Sequence, residues 1–401
     1  MIRIDRLNLR GEGVGEGATA ARALPGELVE GEALDGRIAQ PKIVTPSADR
    51  VAAPCRHYRA CGGCAMQHAS DGFVERWKTD VVRQALAGQG LDAPFRPTLT
   101  SPPRSRRRAT LAGRRLKSGA LVGFHGRASD AVTAVPDCLL LDPGLVAVFP
   151  ALEALVSEGG SRKGEMRLTV TQFASGVDVA VEDGKPLDRT LRMALPQIAG
   201  AYRLLRLVWN GEVLLQESPP LLTLGSAHVS PPPGAFLQAT PQGEGALLAA
   251  VVSAIGDARR VVDLFAGCGT FALPLAETAE VHAVEGSAEM LAALDKGWRE
   301  TPGLKKVTTE ARDLFRRPLL PEDLARVDAV VIDPPRAGAE AQVAELARAG
   351  VPVIAHVSCN PVTFARDARV LVAAGYRLDW VQVIDQFRWS AHVELAARFS
   401  R

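Results

Sequence analysis

Two short motifs near the end of the chain bring together residue types that react with one another. Cys359, in Val357-Ser-Cys-Asn-Pro361, follows one apolar run, and Glu394, in His-Val-Glu, begins the last apolar run. A cysteine at a strand end and close to a helix start can have a lowered pKa and act as a thiolate nucleophile. A glutamate within reach of the reacting atom can act as a general base. The residues alone also allow two non-catalytic interpretations. Cys359 would then be a small buried residue, and Glu394 an exposed residue of a strand.

A glycine-rich loop precedes these motifs in the chain. It runs Asp263-Leu-Phe-Ala-Gly267-Cys-Gly269-Thr, between an apolar run and a helical stretch. Glycines allow a tight turn and close approach of a ligand to the backbone, and the next helix presents free N–H groups. Glu285 ends the following strand, where an acidic side chain binds ribose hydroxyls. The loop resembles motif I of the class I S-adenosylmethionine-dependent methyltransferases. It also satisfies the loose fingerprint of NAD-binding loops, although Asp263 inside the turn would repel a pyrophosphate.

The elements that must position these residues follow an alternating pattern from residue 240 onward. Apolar strands such as VVDLF, VHAVE, DAVVID and PVIAHVS are each followed by a helical stretch. Such a series predicts an α/β fold with a doubly wound, mostly parallel sheet, whose ligands bind at the carboxyl ends of the strands. Asp333-Pro-Pro-Arg336 ends one of those strands, and RLDWVQVIDQF and HVELAARFS are expected to pair at the sheet edge.

The rest of the chain divides into two further regions. Short runs between glycine turns predict a small β-barrel over 1–48, and mixed β-like runs predict a central antiparallel α+β domain over 49–234. A helix over about 71–89 is expected to pack on the catalytic domain, which occupies 235–401. With 401 residues, three domains agree with the usual domain size.

The motifs occur in an order that resembles one family. Phe236-Leu-Gln238, the Asp263–Phe271 loop, Glu285, Asp333-Pro-Pro-Arg336, Cys359 and Glu394 resemble the S-adenosylmethionine-dependent RNA (uracil-C5) methyltransferases, which act on 23S rRNA and tRNA. The resemblance implies a class I methyltransferase domain and an N-terminal TRAM-like, RNA-binding barrel. It implies Cys359 as nucleophile and Glu394 as base, and it places these residues at the cofactor: Gln238, Asp263, Phe265, Gly267, Gly269, Thr270, Glu285, Asp313 and Asp333.

The chemistry of uracil explains why a thiolate and a carboxylate are needed. C5 of uracil is a weak nucleophile, and addition of a thiolate at C6 turns it into an enolate. The C5 proton must then leave to a base. An amino-group methyltransferase needs no such thiol. The alternatives that stay open are tRNA as substrate, cytosine as target, and a catalytically silent RNA-binding or assembly protein.

Three further cysteines lie within ten residues and a fourth follows at a distance: Cys55, Cys61, Cys64 and Cys138. Six cysteines in 401 residues are too few for a disulfide scaffold. Four thiolates suit a [4Fe–4S] cluster or a structural zinc, and zinc sites usually show two Cys-x2-Cys pairs where this chain has one. The spacing resembles that of cluster-binding members of the same family, which favours the cluster. Cys268, in the cofactor loop, receives no role.

The formal net charge of +2 hides a basic segment. Residues 101–117 contain no acidic residue and seven cations, predicted here to contact RNA phosphates: Arg104, Arg106, Arg107, Arg108, Arg114, Arg115 and Lys117. The alternative is a solvated strand face. The N-terminus shows no signal peptide and no window is apolar enough for a membrane span, so a cytoplasmic protein is expected. A monomer is also expected.

Overall fold

The structure is a computed structural model that describes residues 1–401. Its N-terminal region is a six-stranded sheet in the order β5-β3-β2-β1-β4-β6. Ile4, Val29 and Ile38 form its small core, and no ladder joins β5 to β6, so the predicted barrel is an open sheet. The strands are β1 (Ile2–Leu7), β2 (Gly13–Gly15), β3 (Ala18–Ala20), β4 (Leu28–Glu30), β5 (Arg37–Ile38) and β6 (Lys42–Thr45).

The next helix packs on the C-terminal sheet, and the next strand is part of that sheet. Neither belongs to the central region. Helix α1 (Asp71–Ala87) begins at Ser70, whose hydroxyl accepts the amide of Phe73. Strand β7 (Phe95–Thr100) forms the outer edge of the C-terminal sheet. The predicted domain at 49–234 therefore contains a segment, about 71–100, that folds with residues after 235.

The central region is a seven-stranded sheet covered on one side by helices. Its order is β10-β9-β8-β11-β12-β13-β14, and β12 and β13 are its parallel pair. The apolar faces of α3 and α4 close its core over Leu168, Val170 and Trp209. The elements are β8 (Arg108–Arg115), β9 (Ala120–His125), β10 (Val132–Ala134), α2 (Pro143–Ala147), α3 (Phe149–Gly159), β11 (Met166–Phe173), β12 (Gly176–Glu182), α4 (Arg189–Ala201), β13 (Arg206–Trp209) and β14 (Glu212–Gln216). A hairpin of β15 (Leu222–Leu224) and β16 (Ala227–Val229) follows.

The C-terminal region is an eight-stranded sheet in the order β19-β18-β17-β20-β21-β23-β22-β7. Its first five strands in this order are parallel, and β23 runs antiparallel between β21 and β22. The elements are α5 (Pro241–Ile255), β17 (Arg260–Leu264), α6 (Ala272–Leu275), β18 (Glu280–Glu285), α7 (Ala288–Arg299), β19 (Val307–Ala311), β20 (Ala329–Ile332), α8 (Glu340–Ala349), β21 (Val353–Ser358), α9 (Pro361–Ala373), β22 (Arg377–Asp385) and β23 (Leu395–Ser400).

Apolar cores cover both faces of this sheet, as expected for a doubly wound fold. Helices α5, α6 and α7 pack on one face, and α1, α8 and α9 on the other. The predicted pair β22–β23 is present, but β7 and not β22 is the edge strand because β7 pairs in parallel with β22. Lys78 of α1 binds Asp385 at the end of β22 through a buried ion pair of 2.6 Å, which fixes α1 to the sheet. No helix is long and apolar enough to cross a bilayer.

Candidate active site

A cavity of about 1030 Å³, which we call the reaction cavity, opens at the carboxyl ends of β17, β18, β20 and β21. It is the place where ligands bind in open α/β sheets. Cys359, Glu394 and seven of the nine residues predicted at the cofactor line it: Gln238, Phe265, Gly267, Thr270, Glu285, Asp313 and Asp333. The chain thus gathers at one edge residues that are more than 150 positions apart in sequence.

The glycine-rich loop has the backbone that its sequence predicts. Gly267 and Gly269 have φ values of +56° and +97°, which glycine adopts without strain. A Cβ on Gly269 would lie 2.9 Å from side-chain atoms of Leu273 and Leu294, so the loop needs glycine there for close packing as well. Glu285 holds the loop in place because its carboxylate accepts the amide of Gly267 at 3.0 Å. The predicted ribose-binding carboxylate therefore also shapes the loop.

Two predicted cofactor residues lie beneath the cavity rather than on its wall. Asp263 is fully buried with neither carboxylate oxygen hydrogen-bonded, and Gly269 also does not line the cavity. Burial, followed by the nearby Asp333, raises the pKa of Asp263 well above its ordinary value, which favours a neutral carboxyl group. The expectation that Asp263 contacts the cofactor is corrected for this reason.

An aromatic pair lines the cavity, and only one of its members, Phe265, belongs to a sequence motif. The rings of Phe265 and Phe315 are 5.6 Å apart and tilted, and about half of Phe315 is exposed. Asp313 orients this turn, since its carboxylate accepts the amide of Phe315 at 3.0 Å. Two aromatic faces beside Glu285 suit a nucleoside with a flat base and ribose hydroxyls. The only available signal for Phe315 in the sequence is its position two residues after Asp313.

Cys359 lines the same cavity and lies between the end of β21 and the start of α9. Asn360 caps α9 by accepting the amide of Val362 at 3.1 Å. Burial and then the carboxylates of Glu394 and Asp333 raise the pKa of Cys359 to about 11, while Arg336 lowers it. The pKa of the Cys359 thiol is therefore raised and not lowered as its position predicts, because burial and two acidic neighbours outweigh the nearby guanidinium.

Both acidic neighbours of Cys359 also have raised pKa values. Burial, with Asp333 close by, raises the pKa of Glu394 to about 8, and burial raises that of Asp333 to about 7. Gln386 donates to Glu394 at 3.0 Å, and Gln238 donates to Asp333 at 3.3 Å. Groups with such displaced pKa values, gathered in one cavity, are typical of sites that transfer protons.

The four cysteines predicted as metal ligands line a second, small cavity, which we call the cysteine cavity. Cys55, Cys61, Cys64 and Cys138 surround about 20 Å³ of mostly apolar space. Burial raises the pKa of Cys61, Cys138 and Cys64, the last to about 12. No group of three or more His, Cys, Asp or Glu side chains is arranged to hold a single metal ion. The predicted metal binding is thus not confirmed, although the thiols are neighbours.

Several arginines of the basic segment 101–117 bind other groups of the protein. Arg107 is buried in an ion pair with Glu244, and Arg108 donates to the carbonyl of Gly234 at 3.0 Å. A buried, paired guanidinium cannot reach a phosphate, so the prediction that Arg107 contacts RNA is corrected. Arg114 pairs with Glu165 and Arg115 donates to Gly160. Arg106 lines the reaction cavity, and Arg104 and Lys117 are exposed.

The fold is that of a class I methyltransferase. The structure resembles the crystal structure of the Pyrococcus abyssi tRNA (uracil-54, C5)-methyltransferase in complex with S-adenosyl-L-homocysteine. The TM-score is 0.78 and the identity 22%, over 100% of this chain and 99% of that one. At this identity the likeness shows the fold.

Sequence comparisons identify the family. A family model described as tRNA (uracil-5-)-methyltransferase matches residues 303–401. The chain is 42% identical to an uncharacterized RNA methyltransferase of Rhizobium meliloti over 100% of this chain and 99% of the relative. It is 33% identical to the 23S rRNA (uracil(1939)-C(5))-methyltransferase RlmD of Halomonas elongata, over 93% of this chain and 82% of the relative. The chain belongs to the RNA (uracil-C5) methyltransferase family and is an S-adenosylmethionine-dependent enzyme.

Proposed function

We propose that this protein methylates C5 of a specific uridine in 23S rRNA through a covalent intermediate on Cys359. The observation that carries the proposal is that Cys359, Glu394 and Asp333 line one cavity together with the glycine-rich loop. The choice of rRNA over tRNA rests on the 33% identical rRNA methyltransferase. S-adenosylmethionine supplies a methyl group on a positively charged sulfur.

The chain's own residues carry the remaining steps. The Cys359 thiol releases its proton to solvent in the open cavity, and its sulfur bonds to C6, which moves the C5–C6 electron pair toward C5 and O4. C5 takes the methyl group, and the methyl–sulfur bond breaks with its electrons remaining on sulfur. Glu394 then removes the C5 proton, the C5–C6 double bond re-forms, and the Cys359 thiolate leaves. Arg336 is the protein cation that favours the thiolate.

A methyl-transfer assay with position mapping tests this function. The protein is incubated with methyl-labelled S-adenosylmethionine and, separately, rRNA and tRNA from cells that lack its gene. We expect 5-methyluridine at one position of 23S rRNA and none in tRNA. Label in tRNA alone would replace the substrate, label in cytosine would replace the target base, and no label in either RNA would favour the silent RNA-binding protein.

The cysteine cavity fits a thiolate-bound group by its donor set. Four thiols face one apolar space that also borders Tyr58 and Leu140, and no carboxylate takes part. Bound iron or zinc would replace the thiol protons, because these metals bind thiolate. A [4Fe–4S] cluster is preferred to zinc because zinc sites usually show two Cys-x2-Cys pairs, and this chain has one, Cys61 and Cys64. Iron and sulfide analysis of anaerobically purified protein tests the assignment; one zinc per chain without sulfide contradicts it.

The RNA backbone is proposed to bind along a seam between the N-terminal sheet and the central region. Arg22, Arg59 and Arg127 lie close together there, and Arg22 donates to the carbonyl of Arg59 at 2.7 Å. Arg22 also lies over the ring of Tyr58, and one guanidinium nitrogen of Arg127 is buried without a hydrogen-bond partner. Neighbouring guanidinium groups repel one another, and a phosphate would relieve that repulsion.

Salt dependence of RNA binding tests this seam. Removal of one cation that binds a phosphate should reduce the slope of log affinity against log salt by about 0.7 to 0.9. We expect Arg59→Ala to reduce the slope by about that amount and Arg162→Ala, an exposed arginine in a turn of the central region, to leave it unchanged. Equal slopes for both variants would remove the seam from the RNA-binding surface.

A further inference from the structure

A buried glutamine, Gln386, connects the predicted base Glu394 to Gln238, and both of these residues line the reaction cavity. Gln386 follows β22 and is 2% exposed. Its amide nitrogen donates to Gln238 at 2.6 Å and to Glu394 at 3.0 Å, and its oxygen accepts the backbone amide of Ala239 at 2.8 Å. All hydrogen-bonding atoms of the side chain are therefore occupied within the protein.

The contacts of Gln386 determine the orientation of both amides. A backbone N–H can only donate, so the oxygen of Gln386 must face Ala239 and its nitrogen must face the other two side chains. Gln238 accepts from Gln386 through its own oxygen, which turns the nitrogen of Gln238 toward Asp333, at 3.3 Å. One backbone amide thus orients a chain of two glutamines that ends on two carboxylates.

This arrangement leaves Glu394 with one free oxygen. Gln386 holds Oε2, and Oε1 has no hydrogen-bond donor in the protein. A hydrogen bond to an ionised carboxylate stabilises the charged form, and here it opposes burial, which raises the pKa of Glu394 to about 8. The bond from Gln386 is the single hydrogen bond from the protein that favours an ionised, proton-accepting Glu394.

We infer that Gln386 is a positioning residue for methyl transfer, which turns one oxygen of Glu394 toward the substrate and fixes the orientation of Gln238 in the same cavity. The inference rests on the proposed role of Glu394 as the base that removes the C5 proton. Gln386 acts through Glu394 and Gln238 and does not itself line the cavity.

The pH dependence of kcat/KM for methyl transfer tests the inference. Gln386→Met keeps the length of the side chain and removes its donor and acceptor. Without that donor the pKa of Glu394 rises further, so the acid limb of the profile should move up by about one pH unit. Activity at pH 7 should fall about tenfold and recover at higher pH. Gln386→Glu keeps an acceptor for Ala239 but removes the amide donor, and should move the limb in the same direction.

A matched control separates this role from a general effect on stability. Gln342 is a fully buried glutamine of α8 whose amide pairs with the backbone of Leu319 at 2.8 and 3.1 Å, away from the cavity. Gln342→Met should lower the melting temperature, as Gln386→Met does, and keep the wild-type pH profile. Binding of S-adenosylhomocysteine, measured by calorimetry, shows that each variant is folded.

The outcomes also distinguish the inference from the proposed mechanism. If Gln386→Met and Gln386→Glu both keep the wild-type profile, or lose activity equally at every pH, the inference is overturned. If Glu394→Gln itself turns over normally, the proposed base is wrong, whatever Gln386 does. If Glu394→Gln stops turnover and both Gln386 variants shift the acid limb, both assignments stand.

Discussion

The reaction cavity and the cysteine cavity both hold thiols with raised pKa values, but their surroundings differ. Burial is the main cause in each, raising the pKa to about 11 at Cys359 and about 12 at Cys64. At Cys359 the carboxylates of Glu394 and Asp333 add to the increase, and Arg336 opposes it. At Cys64 the neighbouring cysteines add to it, and no carboxylate takes part.

This difference indicates what each thiol needs in order to ionise. Two carboxylates and one arginine make Cys359 sensitive to a single positive charge that enters the open cavity and leaves after reaction. Four thiols around a small apolar space can ionise together only if a multiply charged cation stays with them. The neighbours of Cys359 suit a thiol that ionises and is released in each reaction cycle. The neighbours of Cys64 suit thiols that stay bound to the proposed structural group.

Loss of the reactive thiol is expected to have the largest effect. Cys359→Ala should reduce methyl transfer by at least about 10⁴-fold while binding of S-adenosylhomocysteine persists, because the covalent step has no substitute. Cys268→Ala is the matched control, since Cys268 is a buried thiol of the same cavity wall. It should change the rate less than about tenfold. Single-turnover rates measure both, and similar losses in the two variants would refute the assignment of Cys359.

Removal of the base is expected to have the next largest effect. Glu394→Gln keeps the shape of the side chain but cannot take the C5 proton, so turnover should fall by about 10² to 10⁴-fold. Because addition of Cys359 precedes that step, a protein–RNA adduct should accumulate and be visible on a denaturing gel. The adduct should be absent in a Cys359→Ala, Glu394→Gln double variant. Normal turnover without adduct would show that another group removes the proton.

The sequence predicted the residues of this site that follow strand ends. Cys359, Asp333 and Glu285 each follow an apolar run of the βα series, and the parallel order brings such positions to one edge. It did not predict that β7 joins the same sheet, because β7 pairs with β22 across the whole central region and most of the C-terminal region of the chain. Such non-local pairing leaves no local pattern.

Side-chain environment was the second property that could not be predicted. The loop motif includes Asp263, yet burial places this carboxyl under the loop, and Arg107 belongs to a run of cations although it pairs inside with Glu244. Gln386 belongs to no motif, and its role follows from three hydrogen bonds to residues from distant parts of the chain. Residue type predicts chemistry, whereas burial and partners depend on tertiary packing.

The pKa of Cys359 should change when a positive charge enters the reaction cavity. This change tests directly whether the surroundings of Cys359 differ from those of Cys64 in this respect. S-adenosylmethionine and S-adenosylhomocysteine differ by a methyl group and a positive charge on sulfur. The pKa of Cys359, about 11 in the free protein, should be lower by about one unit or more with S-adenosylmethionine than with S-adenosylhomocysteine. The pH dependence of alkylation in a Cys268→Ala background measures it. Equal values with both ligands would show that this charge does not activate the thiol.

Substitution in the cysteine cavity should have the smallest effect on methyl transfer. Cys138→Ala removes one of four thiols that face neither Glu394 nor the glycine-rich loop, so transfer at 25 °C should fall less than about tenfold. The iron and sulfide of the proposed cluster should instead drop, and the melting temperature with them, because a group bound only to the folded chain stabilises that state. A loss of transfer as large as that of Cys359→Ala, in a variant that still melts cooperatively and binds S-adenosylhomocysteine, would mean that the two cavities act in one reaction. Arg106 would then connect the two cavities. It lines the reaction cavity, and its pKa, which burial lowers, is raised by the charges of Cys64 and Cys138.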